Sequence, residues 1–190
     1  MRNNKKKLIV LSSPSGGGKT TVARFLLNKL PQLKFSISAT TRQIREGEVN
    51  GRDYFYLSES EFMQLVNSDG LVEWEEIYGN YYGTLRSEVE NALSTGLTLL
   101  FDIDVKGAMS LRKAYPEDTL LIFLSPPRID TIIERLKSRK TETPEQIQKR
   151  IERMNMEMKH MDRFDHIIIN DILDKTLSAA EVIVERNVSE

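Results

Sequence analysis

Four apolar runs punctuate the chain: "LIVL" from residue 8, "LTLLF" from residue 97, "TLLIFL" from residue 119 and "FDHIII" from residue 164. Each is short and nearly continuous, the pattern of a strand buried on both faces of a parallel sheet. Between the runs the periodicity turns helical. Val22, Phe25, Leu26 and Leu30 recur at three- and four-residue spacing behind "GGGKTT", and Pro31 ends that stretch. The segments "RSEVENALSTG" (closed by Gly96), "VKGAMSLRKAYP", "RIDTIIERLKSRK", "TPEQIQKRIERMNMEMKHM" and "LDKTLSAAEVIVERN" read as helices in the same way. Thr143 and Pro144 supply a cap and a first helical position for one of them.

Strands alternating with helices predict an α/β protein whose parallel sheet is flanked by helices on both faces. Residues 36 to about 92 break the alternation. "FSISATTRQIREGEVNGRDYFYL" mixes β-branched residues, glycines, arginines and aromatics without helical period, and reads as strands and loops. "SESEFMQLVNSDG" follows as a short helix, opened by a capping-box pattern at Ser58 and Glu61 and ending at Gly70. "LVEWEEIYGNYYGT" is again strand and turn. This block is expected to be an inserted, mixed α/β subdomain. The expected division is a core of residues 1–35, 97–130 and 146–190, an insertion of 36–96, and a short helical lid of 131–145, where the charged "KSRKTETPEQ" looks like a mobile flap.

Composition narrows the function classes. At 190 residues, with 39% hydrophobic and 29% charged residues, the chain is one globular domain with a sizeable core. No window approaches the ~20 apolar residues of a membrane span, and the apolar run after "MRNNKKK" is shorter than the roughly 7–15 residues of a secretory signal. A net charge of −1 excludes global attraction to nucleic acid or anionic lipid, so any anion site must be local. The absence of cysteine excludes disulfides, thiolate nucleophiles and cysteine-rich zinc sites, and makes a cytoplasmic location the default. Neither histidine, His160 nor His166, belongs to a metalloprotease-type motif.

The first apolar run leads into "SPSGGGKTT". Strand, glycine-rich turn and helix form the context of a phosphate-binding loop, in which backbone N–H groups and the positive end of the following helix cradle phosphate oxygens. The pattern GxxxxGK[ST] asks for glycine where this chain has Ser13. That first glycine mainly permits the turn leaving the strand, and serine can replace it where the backbone torsions are open to any residue. Ser13, Pro14, Ser15, Gly16, Gly17, Gly18, Lys19, Thr20 and Thr21 would therefore hold ATP, with Lys19 on the β- and γ-phosphates and the Thr20 hydroxyl on Mg²⁺. Asp102 ends a buried strand, where an acidic residue fits the Mg²⁺-positioning role through a metal-bound water. The plainer reading is that it caps the next helix.

A nucleotide loop alone does not separate hydrolase, switch, motor and kinase. "SISATTRQIREGEVNGRDYFY" and "GNYYGT", followed in order by "LFDIDVKGA", "FLSPP", "RLKSRKTET", "QKR" and "IIINDILDKTL", resemble the guanylate kinase family over nearly the whole chain. The resemblance implies Mg²⁺-dependent transfer of phosphate from ATP to GMP, with dGMP a further candidate acceptor. It would place Arg42, Arg45, Tyr54 and Tyr82 on the GMP phosphate, a role that bidentate guanidinium groups and tyrosine hydroxyls suit chemically. Glu73 would accept from guanine N1–H and the 2-amino group, with Ser38 and Thr84 on the base and Asp104 close behind. Glu48 would steady the arginines or the base-side network. Arg135, Arg139 and Arg150 would contact ATP phosphates and the transferred group, and Asn170 would lie near the adenine. Ser13, Ile44 and Lys140 depart from the family pattern at the loop, between the two arginines and in the lid. A guanylate-kinase-like module used only for protein binding is disfavoured by the intact Lys19, Thr20, Arg42 and Arg45. A kinase for AMP or UMP is disfavoured by the acceptor carboxylate of Glu73.

Overall fold

The computed structural model describes residues 5–14, 17–77, 79–128 and 144–188. Five strands, all parallel, form the main sheet in the order β2-β7-β1-β8-β9. They are β1 (Leu8–Ser12), β2 (Leu33–Phe35), β7 (Thr98–Asp102), β8 (Thr119–Ser125) and β9 (His166–Ile169). Four of them are the apolar runs of the sequence. The fifth, β2, is a three-residue edge strand whose pattern "LKF" is too short and too polar to stand out, so the expected four-strand sheet is one strand too small.

Every residue of β1 is buried, and its side chains alternate between two cores. Ile9 and Leu11 pack against Val22 and Leu26 of α1 (Lys19–Lys29) and Ala180 and Val184 of α6 (Leu173–Val188). Leu8 and Val10 pack on the opposite face against Val89 of α3 (Arg86–Thr95) and Val105 and Leu111 of α4 (Val105–Ala114). Truncating any of these fully buried leucines to alanine costs about 2–5 kcal/mol. Helix α5 (Pro144–Met158) stops before "KHM", and Met161–Arg163 forms a separate 3₁₀ turn; Thr143, expected to cap the helix, lies outside the described residues.

A second sheet, of order β4-β3-β6-β5, is built wholly from the block that broke the alternation. It comprises β3 (Ala39–Thr40), β4 (Phe55–Tyr56), β5 (Leu71–Ile77) and β6 (Asn80–Leu85). Helix α2 (Glu59–Asn67) covers it, with Phe62 fully buried and stacked on Tyr81 at 5.5 Å. The capping box is formed: the Ser58 hydroxyl accepts from the Glu61 N–H, and the Glu61 carboxylate accepts from the Ser58 N–H at 2.7 Å. The helix ends short of Gly70, turned out of its path by Asp69 at φ 56°. A register irregularity between Leu71 and Glu73 sets Glu73 directly across from Thr84. In the main sheet, β1 lies between β7 and β8, so the carboxyl ends of β1 and β7 open onto the crevice where ligands of open α/β sheets bind. No described helix is long and apolar enough to cross a membrane.

Candidate active site

The loop after β1 carries the first cluster. Ser13 is 1% exposed and does not adopt a positive φ, so the missing glycine leaves no backbone strain behind. Its side chain faces inward, and a Cβ on Gly17 would come within 2.5 Å of the Ser13 hydroxyl and 2.9 Å of the Pro14 carbonyl. Only glycine fits there. Gly18, at φ 86°, is the N-cap of α1 and offers no side chain to the first-turn N–H groups, which keeps that helix end open to an anion. Gly17, Gly18, Lys19, Thr20, Thr21 and Asp102 line one hollow beside it. The Lys19 ammonium donates to the Ser13 carbonyl at 3.2 Å and lies 3.9 Å from Asp102. Ser15 and Gly16 lie outside the described residues.

Asp102 does not cap the next helix. That task falls to Asp104, whose Oδ1 accepts from the Gly107 N–H at 2.9 Å. Asp102 instead accepts from the Thr20 hydroxyl at 3.2 Å, and burial pushes its carboxyl above the usual range against the pull of Lys19. A hydroxyl and a carboxylate at the mouth of the loop are hard oxygen donors of the kind Mg²⁺ takes when phosphate oxygens supply the rest, so these residues fit the ion. Asn170, expected near the adenine, lies against the phosphate loop. Its amide donates to the Gly17 carbonyl at 2.9 Å, and its oxygen accepts from Thr176 at 3.0 Å, so it braces the loop from β9.

The second cluster lies on the smaller sheet. Arg42 grips Glu48 through both terminal nitrogens, at 2.8 and 3.0 Å, and lies over the rings of Tyr54 and Tyr56 at 5.3 and 5.7 Å. Glu48 also accepts from the Arg45 N–H and from the Tyr56 hydroxyl. The Arg42 bond, then those of Tyr56 and Arg45, hold its carboxyl down at about 2. Glu48 thus steadies the arginines. Tyr82 meets Tyr54 edge to face at 6.1 Å, while the Arg45 side chain and Ile44 are exposed. Two of the five N–H donors of Arg42 point at Glu48, and a third at the Gln43 carbonyl, leaving others for an anion. Tyr56, which sequence reasoning missed, carries its signal in the alternation of "DYFY", where it shares a face with Tyr54.

A cleft of about 200 Å³ runs from this cluster toward the core, lined by Ser38, Tyr54, Glu73, Tyr82 and the 102–104 segment. The Thr84 hydroxyl donates to Glu73 Oε1 at 2.6 Å. A Cβ on Gly107 would lie 2.9 Å from Glu73 Oε2, so this glycine makes room for the carboxylate. Burial pushes the Glu73 carboxyl up to about 7, opposed by the Thr84 bond and reinforced by Asp104 and Glu75. A further hollow shares Tyr54 and residues 102–104 with the cleft and joins it to Lys19, Arg150 and Arg153. The two clusters thus open into connected space. Arg135 and Arg139 lie outside the described residues. Glu75, Arg153 and Glu157 were not foreseen. Glu75 lies two residues beyond Glu73 on one strand face, and Arg153 lies three beyond Arg150 on one helix.

A family model described as "Guanylate kinase" matches residues 5–187. The chain belongs to the guanylate kinase family. The guanylate kinase of Chlorobium luteolum is 45% identical over 90% of this chain and 87% of its own, and that of Nocardia farcinica is 44% identical over 90% and 88%. The crystal structure of guanylate kinase from Anaplasma phagocytophilum superposes with a TM-score of 0.76 at 29% identity, covering 98% of this chain and 88% of that one. In this guanylate kinase the Ser13 and Ile44 departures are therefore variations within the family. Ser13 is accommodated by Gly17, and Ile44 by solvent exposure.

Proposed function

We propose that the two clusters carry out the guanylate kinase reaction with the residues named above in distinct roles. The chain is a guanylate kinase, an ATP:GMP phosphotransferase. The loop amides, Gly17, Gly18 and Lys19 grip the donor polyphosphate, beside Ser13–Gly16 and Thr21. Arg42, Arg45, Tyr54 and Tyr82 take the phosphate of GMP. Glu73 accepts from guanine N1–H and the 2-amino group, while Ser38 and Thr84 contact the base and Asp104 backs them. Residues 36–96 thereby act as the GMP-binding unit of the chain, and residues 131–145 as its lid. Asn170 serves the donor side by holding the Gly17 carbonyl.

Phosphoryl transfer asks mainly for alignment and charge neutralisation. At neutral pH the acceptor phosphate is largely dianionic, so its oxygen attacks the γ-phosphorus without a general base. The new P–O bond forms as the bond to the β,γ-bridging oxygen breaks, and that oxygen leaves as part of ADP. Lys19 and Arg150, with Arg135 and Arg139, neutralise the charge spread over the transferred group. Mg²⁺, held by Thr20 and Asp102, would supply further positive charge to the donor phosphates.

The observation that carries this reading is Glu73, a largely buried carboxylate that lines the cleft and is held by the Thr84 hydroxyl. A coupled assay with GMP, dGMP, AMP and UMP tests it. GMP is expected to be the preferred acceptor, dGMP to be accepted, and AMP to lose by a factor of ~10³ or more, because adenine meets the carboxylate with an acceptor. Equal rates with AMP would overturn the guanine assignment. Lys19→Ala is expected to lower kcat by ~10³-fold or more. The enzyme is further assigned to the cytoplasm.

A further inference from the structure

Three carboxylates converge on one wall of the cleft: Glu73 and Glu75 from β5, and Asp104 from the start of α4. Asp104 turns Oδ1 into its helix and Oδ2 toward Arg153, at 3.2 Å. Glu75 divides in the same way, with Oε1 toward Lys106 at 3.4 Å and Oε2 toward Arg153 at 2.7 Å. The same guanidinium bonds the buried Glu157 at 3.3 Å. Arg153 therefore binds three carboxylates from three different elements, while Glu73 has no ion pair among the described residues.

We propose that Arg153 is a positioning residue for guanine recognition, holding Glu75 and Asp104 against itself so that Glu73 can serve as the charged acceptor. The inference rests on Glu73 being the guanine acceptor. Its physics is that of like charges sharing a site: two bare carboxylates beside a third make ionisation of the third unfavourable. Arg153, paired with both Glu75 and Asp104, opposes that field. Asp104 and Glu75 are among the groups that push the Glu73 carboxyl up. The other charged or titratable groups lining the cleft and the adjoining hollow are Lys19, Tyr54, Tyr82, Asp102, Arg150 and Glu157, with Lys106 beside Glu75; Lys19 is engaged by the Ser13 carbonyl and Asp102. Of these, Lys106 is mostly exposed and touches only Glu75, so it cannot replace Arg153.

The test is a pH series of GMP kinetics for wild type, Arg153→Ala, Arg153→Lys, the double variant Arg153→Ala/Glu75→Ala, and Glu73→Gln. A GMP that must meet ionised Glu73 gives wild-type kcat/KM an acid limb near pH 7, superposed on titration of the GMP phosphate, which is common to all variants. Arg153→Ala is expected to move that limb to higher pH, raising KM for GMP roughly five- to tenfold at pH 7 and much less at pH 9. The KM for ATP and kcat are expected to change less than threefold. Arg153→Lys should recover most of the loss, and removing Glu75 together with Arg153 should bring the limb back toward wild type. A KM defect of equal size at pH 7 and pH 9 would mean that Arg153 only supports packing, and it would overturn the proposal, as would an unchanged KM. If Glu73→Gln leaves KM for GMP intact, the guanine reading itself fails and takes the proposal with it. If Glu73→Gln loses GMP and Arg153→Ala does not, only the proposal fails. Should Arg153→Ala not fold, the charge-keeping Arg153→Lys and the charge-deleting Arg153→Gln give the same contrast.

Discussion

At the scale of single residues, the site runs on charges placed where they are costly. Glu73 is the clearest. Raising a carboxyl from its ordinary 4.5 to about 7 corresponds to about 3 kcal/mol against the charged form. The sign follows from proton counting: between those two values the folded protein binds more protons than the unfolded chain, so stability falls as pH rises through them. Glu73→Gln removes the penalty and keeps an oxygen for the Thr84 hydroxyl. The variant is expected to be more stable than wild type at pH 8 by up to about 3 kcal/mol, a rise of roughly 5–10 °C in Tm, with little gain at pH 4.5. Thermal melts at the two pH values check this, and an equal gain at both would remove the electrostatic account. Glu48 behaves oppositely, because Arg42, Tyr56 and the Arg45 N–H all favour its charged form. It stays ionised across the working range and contributes no pH dependence there. Both residues are glutamates in a β-rich segment, and only their neighbours distinguish them.

At the scale of elements, local signals were legible where one segment suffices. The Ser58 to Glu61 capping box and the Gly96 cap of α3 at φ 74° both appear where the sequence placed them. Each depends on backbone groups within about four residues. Ser58→Ala is expected to cost about 1 kcal/mol, because the Glu61 N–H loses its acceptor and the Glu61 carboxylate loses the hydroxyl that donates to it. The Ser58 side chain bonds Ser60 and Glu61 and no residue of either cluster, so kcat for ATP and GMP should not change; denaturant unfolding beside steady-state kinetics measures both. Strand β2 was missed because three residues at a sheet edge carry too little periodicity to be read. The phosphate loop was readable from "GGGKTT", but the reason for Gly17 was not. The Ser13 hydroxyl facing it, four residues earlier, makes that glycine obligatory.

At the scale of the whole molecule, two sheets each carry one of the two clusters, and connected hollows join them. Each substrate is therefore expected to raise Tm on its own: at about 100 times Kd, linkage contributes about 2.7 kcal/mol, or roughly 5–10 °C for a chain of this size. Glu73→Gln should abolish the rise caused by GMP and leave that caused by ATP; loss of both in a melting experiment would contradict separate sites. The apolar runs, the helical spacing and the glycine-rich turn were decided by the sequence alone, since strand burial, helix periodicity and backbone freedom are properties of short stretches. The grip of Arg42 on Glu48 spans six residues and was half visible. Tertiary structure alone decided that Asp104, not Asp102, caps α4, that Asn170 reaches across 153 residues to the Gly17 carbonyl, and that Arg153 reaches across 78 to Glu75. Those choices depend on which elements the parallel sheet and the inserted hairpin bring side by side, and contacts between distant segments leave no period along the chain.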